Sequence, residues 1–148
     1  TVGATGALAA KGHLLKNDAY FATGKDKEHY TKMNDALTLL ADPDKACGGL
    51  LQKAYESADV AGTGKTLKWS TDGRCLVDSA AFALKDAAAT ATSPKTLFGM
   101  AVYNYLFLLK DKSFGVHNPT YSLQLLNDSC ETLKSIAKDT TTSCGTRP

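Results

Sequence analysis

No Cys-x-x-Cys pair occurs in the 148 residues, which removes the usual spacing of a zinc or dithiol redox site. Histidine is scarce. His13, His29 and His117 are the whole supply, too few for a histidine-rich metal cluster. No serine sits in a Gly-x-Ser-x-Gly elbow. Neither sign of charge is in excess: 17 basic and 15 acidic residues are spread along the chain for a net +2. Phosphate recognition needs clustered basic side chains, so no nucleic-acid partner is expected. Long apolar runs are missing too. The longest, LFGMAVYNYLFLL at 97–109, has 13 residues, against about 20 for a membrane-spanning helix. No membrane span is expected, and the run reads as a buried helix.

The opening residues, TVGATG, include neither an initiator methionine nor a signal peptide, as expected of a processed mature form. The length suits one ordinary domain, 1–148, which needs no metal or cofactor to fold. Four cysteines are present, Cys47, Cys75, Cys130 and Cys144. An even count at wide spacing predicts two disulfides and an oxidising compartment, periplasmic or extracellular. Four cysteines allow three pairings. The chain geometry favours Cys130–Cys144: the last helix runs about two turns beyond Cys130, and the extended residues 139–144 reach back roughly 20 Å. That leaves Cys47 to pair with Cys75.

Alanine and leucine dominate, and β-branched residues other than threonine are few, a composition that favours helix. Asp42-Pro43, Ser93-Pro94 and Asn118-Pro119 each place a capping side chain before proline at a first helical position. Apolar stripes at helical spacing run through Tyr30, Met33, Leu37 and Leu40, and through Cys47, Leu51, Ala54 and Ala58. Others follow Val77, Ala81, Leu84, Ala88 and Ala91, and Leu123, Leu126, Cys130, Leu133 and Ala137. The helix near 95–110 is apolar nearly all round and is expected to be central. Residues 4–22 form a further candidate, weakened by Gly6 and Gly12. The glycine-rich stretch AGTGKTLKWSTDGR at 61–74 reads as a loop or small hairpin around its Thr-Asp-Gly turn. The prediction is an all-α helical bundle of about five helices with one glycine-rich loop excursion.

Several motifs fail on inspection. AGTGKT at 61–66 lacks the P-loop glycine, because Asp59 stands at the required position. Asn127-Asp128-Ser129 matches a glycosylation acceptor but falls inside a strong helix pattern. His13 and His29 read as surface residues. Tyr103, Tyr105 and Phe107 read as core around Asn104, and a buried Asn104 amide is expected to bind the turn at 111–117.

The stretch AVYNYLFLLKDKSFGVHNPTYSLQLLNDS, residues 101–129, resembles a helix–turn–helix hairpin near the C-terminal end of multihaem c-type cytochromes. Variants of it occur in the nitrite-reductase and hydroxylamine-oxidoreductase groups. The matching positions are Asp111, Ser113, Gly115, Val116, His117, Asn118 and Pro119. The core match covers about 30 residues and extends over flanking helices to 75–138. The resemblance implies that His117 is a distal axial haem ligand, and that the following helices pack against a partner subunit. The chain departs from the family in having no Cys-x-x-Cys-His, so haem is not attached covalently in the usual way. From the residues alone, Gly115 permits the sharp turn, His117 hydrogen-bonds locally, Asn118 caps and Pro119 starts the helix.

Three functions follow as expectations. The first is a haem-free secreted scaffold or subunit associating with a multihaem cytochrome in extracytoplasmic electron transfer. The second is a self-assembling extracellular filament protein, with copies of itself as partner. The third is a non-covalent haem binder using His117, or one taking haem through a partner chain. No acid–base pair or metal cluster stands out, so no enzyme activity is expected.

Overall fold

The computed structural model describes residues 24–42, 48–69, 75–76, 90–111 and 118–148. Four α-helices lie among them: α1 (Gly24–Leu40), α2 (Leu50–Tyr55), α3 (Pro94–Lys110) and α4 (Pro119–Ala137). Two short strands, β1 (Lys68–Trp69) and β2 (Cys75–Leu76), pair antiparallel, with Lys68 opposite Leu76 and Trp69 opposite Cys75. The protein is all-α, and this small ladder is the hairpin expected in the glycine-rich excursion. The expected helices over 4–22 and along Val77–Ala88 lie outside the described residues; Ala91 is exposed in a turn.

The stripe Tyr30, Met33, Leu37, Leu40 is buried along α1, and Leu126, Cys130 and Leu133 are buried along α4. Two of the proline caps form as expected. Ser93 Oγ accepts from Thr96 N–H ahead of Pro94, and Asn118 Oδ1 accepts from Tyr121 N–H ahead of Pro119. Beyond the third, Asp42-Pro43, Asp42 bridges to Gly48 and the next described helix, α2, starts at Leu50 behind Gly49. Residues 43–47, including Pro43 and Cys47, lie outside the described residues. That helix stops earlier than its stripe suggested. After Tyr55 the chain turns, with Ser57 N–H bonding Ala54 carbonyl and Val60 N–H bonding Ser57 carbonyl. Ala58 is thereby left exposed.

Gly49 explains how α1 joins α2. Its φ of +129° belongs to glycine, and a Cβ there would stand 2.9 Å from the carbonyl oxygens of both Leu39 and Leu40. The chain entering α2 thus crosses directly over the last turn of α1.

Among the described residues α4 packs on α1, α2 and α3, and the apolar helix α3 likewise meets the other three. The close approach around α4 follows from what that helix buries. Beside Leu126, Leu133 and Ile136 it buries the small residues Ser122 and Ser129, whose hydroxyls donate to the carbonyls of Asn118 and Leu125, four residues back. Small, self-satisfied side chains let neighbouring helices approach on several sides without an orphaned polar group. Rings of α2 and α3 join the same core: Tyr55 and Phe98 stack with centroids 5.8 Å apart.

Residues 139–148 fold back along α4. Lys138 closes the helix in the left-handed conformation (φ 54°), its N–H reaching the carbonyls of Lys134 and Ser135. Asp139 then organises the turn. Its carboxylate accepts from the backbone N–H groups of Thr141 and Thr142, from both threonine hydroxyls, and from Lys53 of α2. Those bonds, the one from Lys53 foremost, hold the Asp139 carboxyl far below the usual carboxylate range.

Candidate functional site

The hairpin α3–turn–α4 carries the residues singled out in the sequence. His117 and Gly115 lie outside the described residues. Asn118 and Pro119 occupy the structural places expected of them: the Asn118 carbonyl accepts from both the N–H and the hydroxyl of Ser122, and Pro119 is the first residue of α4. Of the cysteines, Cys130 and Cys144 form a disulfide, with Cα atoms 5.7 Å apart. The expected partner bond, Cys47–Cys75, lies outside the described residues, as Cys47 does entirely; Cys75 is placed only as a strand residue of β2.

The expectation that the aromatics of α3 are all core is corrected. Asn104 reaches across the hairpin, its Nδ2 donating to Ser129 Oγ at 3.1 Å, while residues 112–117 of the turn it was expected to bind lie outside the described residues. That bond completes Ser129, whose own hydroxyl hydrogen goes to Leu125. It fixes the register of α3 on α4 with a pair that neither sequence neighbourhood reveals. The aromatics then divide. Tyr105 is buried, and burial pushes its hydroxyl far above the usual tyrosine range. Tyr103 and Phe107 point the other way, 70% and 49% exposed, with Met100 at 56%.

Their placement follows from helix geometry. Residues 100, 103 and 107 step by three and four and share one face. That face is opposite Phe98, Ala101, Val102, Tyr105, Leu108 and Leu109, which all enter the core. The rings of Tyr103 and Phe107 are nearly parallel, at 8° with centroids 6.4 Å apart. Tyr121, in the first turn of α4, is likewise half exposed. A helix apolar all round is normally buried all round; here one face is not. Aromatic side chains present about 150–250 Å² each, so the three α3 residues, at about half exposure or more, offer roughly 300–350 Å². That matches the largest apolar patch of a typical monomer, which often marks an interaction site.

A second concavity lies behind α4. A groove of about 550 Å³ runs between α1, α4 and residues 144–148. Leu39, Leu123, Leu126 and the disulfide line it, together with Lys32 and Arg147. Arg147 reaches Asp128 through two nitrogens, 2.7 and 3.1 Å, and its hydrogen bond lowers the Asp128 carboxyl below its ordinary value. Asn127 Nδ2 donates to the carbonyls of Cys144 and Gly145. An amide so engaged within a helix is no glycosylation acceptor, which supports setting the Asn-Asp-Ser match aside.

Among the described residues the remaining sequence candidates do not assemble into a reaction centre. The AGTGKT stretch follows the helical segment α2 and not a strand. Gly62 and Gly64 have positive φ, and the loop is tied down by Gln52, which bonds the Lys65 carbonyl and Leu67 N–H. His29 is half-buried on α1 and so less exposed than expected, while His13 lies outside the described residues. Among the described residues no three His, Cys, Asp or Glu side chains come together to hold a metal. No helix among them is long and apolar enough to cross a membrane. The chain matches no protein-family model, no curated protein and no solved structure.

Proposed function

We propose that this chain is a haem-free helical subunit that works by protein association, docking through the outward face of α3 on a multihaem c-type cytochrome outside the cytoplasm. The observation that carries the association is the exposed stripe Met100, Tyr103 and Phe107 on a helix otherwise committed to the core. Aromatic and methionine side chains are enriched at protein interfaces over the remaining surface. The choice of partner comes from the hairpin resemblance at 101–129, and the extracytoplasmic setting from the disulfide chemistry. The bond between Asn104 and Ser129 supports the reading by making the face rigid, which lowers the ordering cost of binding.

The test is size-exclusion chromatography of the purified chain with multihaem cytochromes isolated from the same source. Co-elution of the chain with haem absorbance is expected, and Tyr103→Asp with Phe107→Asp should abolish it while leaving the far-ultraviolet circular dichroism unchanged. Separate elution of chain and haem proteins would refute the partner. Two other readings have their own signatures. Self-assembly into filaments would appear as light scattering that grows with concentration of the chain alone. Haem binding at His117 would appear on haem titration as a Soret shift absent from His117→Ala.

A further inference from the structure

The groove behind α4 owes one wall to residues 144–148, and the covalent attachment of that wall is the Cys130–Cys144 bond. The fold-back segment has two halves that are held differently. Residues 139–142 are knotted by the Asp139 carboxylate with Lys53, Thr141 and Thr142, none of which depends on the disulfide. Residues 143–148 have the disulfide and a few contacts at the surface: Asn127 to Cys144 and Gly145, Gln124 to the Pro148 carbonyl, and Arg147 to Asp128. Exposed polar contacts of this kind offset little of the entropy of ordering six residues.

We propose that residues 143–148 form a redox-released strap, clasped over the groove when Cys130 and Cys144 are joined and freed from Ser143 onward when they are reduced. The two sulfurs are not equally open to attack. Cys130 is buried in the core, 3% exposed, whereas Cys144 is only partly buried and lines the groove. An attacking dithiol therefore reaches Sγ of Cys144. Its thiolate forms a mixed disulfide there as the Cys130–Cys144 bond breaks, and Cys130 leaves as a thiolate that takes up a proton. The second thiol of the dithiol then displaces Cys144. The balance is one dithiol oxidised to a disulfide, with Cys130 and Cys144 each reduced to a thiol. Release removes the wall beside Leu123 and Leu126 while the Asp139 knot, and so the end of α4, stays in place.

The experiment compares the oxidised chain, Cys144→Ser and the oxidised Arg147→Ala variant by ¹⁵N–{¹H} NOE at Gly145, Thr146 and Arg147 or its replacement. Cys144→Ser isolates this bond from any other that dithiothreitol would open. Treatment of the wild type with dithiothreitol supplies the chemical counterpart. Values near those of α4 are expected for the oxidised chain and for Arg147→Ala, falling to near zero or below in Cys144→Ser and on reduction, with Thr141 and Thr142 unchanged. An apolar dye should show a several-fold fluorescence gain in the same two states. Rigid residues 145–147 in Cys144→Ser would overturn the proposal. So would release in Arg147→Ala, which would make the ion pair the clasp, or loss of helical circular dichroism with the bond, which would make the disulfide a global staple.

Discussion

Replacing Gly49 by alanine tests the α1–α2 junction on which the core depends. The residue has φ 129° and ψ −165°, a conformation open essentially to glycine alone, and forcing another residue into it costs about 1–3 kcal/mol. The added Cβ also meets atoms that cannot rotate away. It would stand 2.9 Å from two backbone oxygens, of Leu39 and Leu40, and 3.1 Å from the Leu40 carbonyl carbon. Relief requires α2 to lift from α1, and displacements of that kind in a packed interior cost about 1–3 kcal/mol more. The sum is roughly 2–6 kcal/mol, a large part of the 5–15 kcal/mol typical of a domain. At roughly 3 °C per kcal/mol for a chain of this size, Tm should fall by about 6–18 °C. Thermal unfolding followed by circular dichroism measures the Tm, and urea denaturation the free energy. Gly64→Ala is the control: its φ is +78° but a Cβ there meets nothing within 4 Å, so only the left-handed cost of about 1–2 kcal/mol applies. If Gly49→Ala costs no more than Gly64→Ala, the close passage over α1 is not what the structure indicates, and the reasoning fails.

Leu133→Ala empties a fully buried site on α4 and should lower the unfolding free energy by about 2–5 kcal/mol in the same urea assay. Asn104→Ala removes the amide bond across the hairpin to Ser129 and should cost about 1 kcal/mol, measurable as a shift in urea midpoint. For Asp139 the folded carboxyl is held below its unfolded value by Lys53 and the two threonines. Its contribution is therefore complete above about pH 4 and is lost as pH falls further. Asp139→Asn should lower stability at neutral pH and flatten the acid limb of the stability–pH curve. Tyr30 behaves in the opposite sense: burial raises its hydroxyl to about 12, so stability is retained up to about pH 10 and declines as pH rises from there toward 12. Tyrosinate absorbance should accordingly show a step near 12 in the folded chain that Tyr30→Phe removes.

Local chemistry was legible along the chain because its causes are local. Proline fixes φ at the first helical position and the side chain before it caps, so Ser93-Pro94 and Asn118-Pro119 announced α3 and α4 by themselves. The apolar spacing along α1 and α4 announced their buried faces, because helical periodicity depends on no other part of the chain. The Cys130–Cys144 bond was legible for the same reason. Its loop is short, and the reach of 139–144 back along a straight helix is a matter of rise per residue. The stripe of α2 shows the limit of that reasoning: it ran on to Ala58, but the chain turned after Tyr55 and left Ala58 exposed.

What only the tertiary structure decided depends on residues far apart in sequence. The α3 sequence is apolar nearly all round, so its pattern carries little phase. Whether Tyr105 or Tyr103 turned inward was settled by where α4 lay against it. The close packing around α4 came from Ser122 and Ser129, whose burial is acceptable only because backbone carbonyls one turn back, and Asn104 from another helix, complete their hydrogen bonds. Asp139 reads as an ordinary polar residue until Lys53, 86 positions away, is brought beside it. Gly49 reads as half of a flexible Gly-Gly pair until Leu39 and Leu40 occupy the space a side chain would need. A sequence can encode such contacts without displaying them, because hydrogen bonding and excluded volume act across distances that only the folded chain defines.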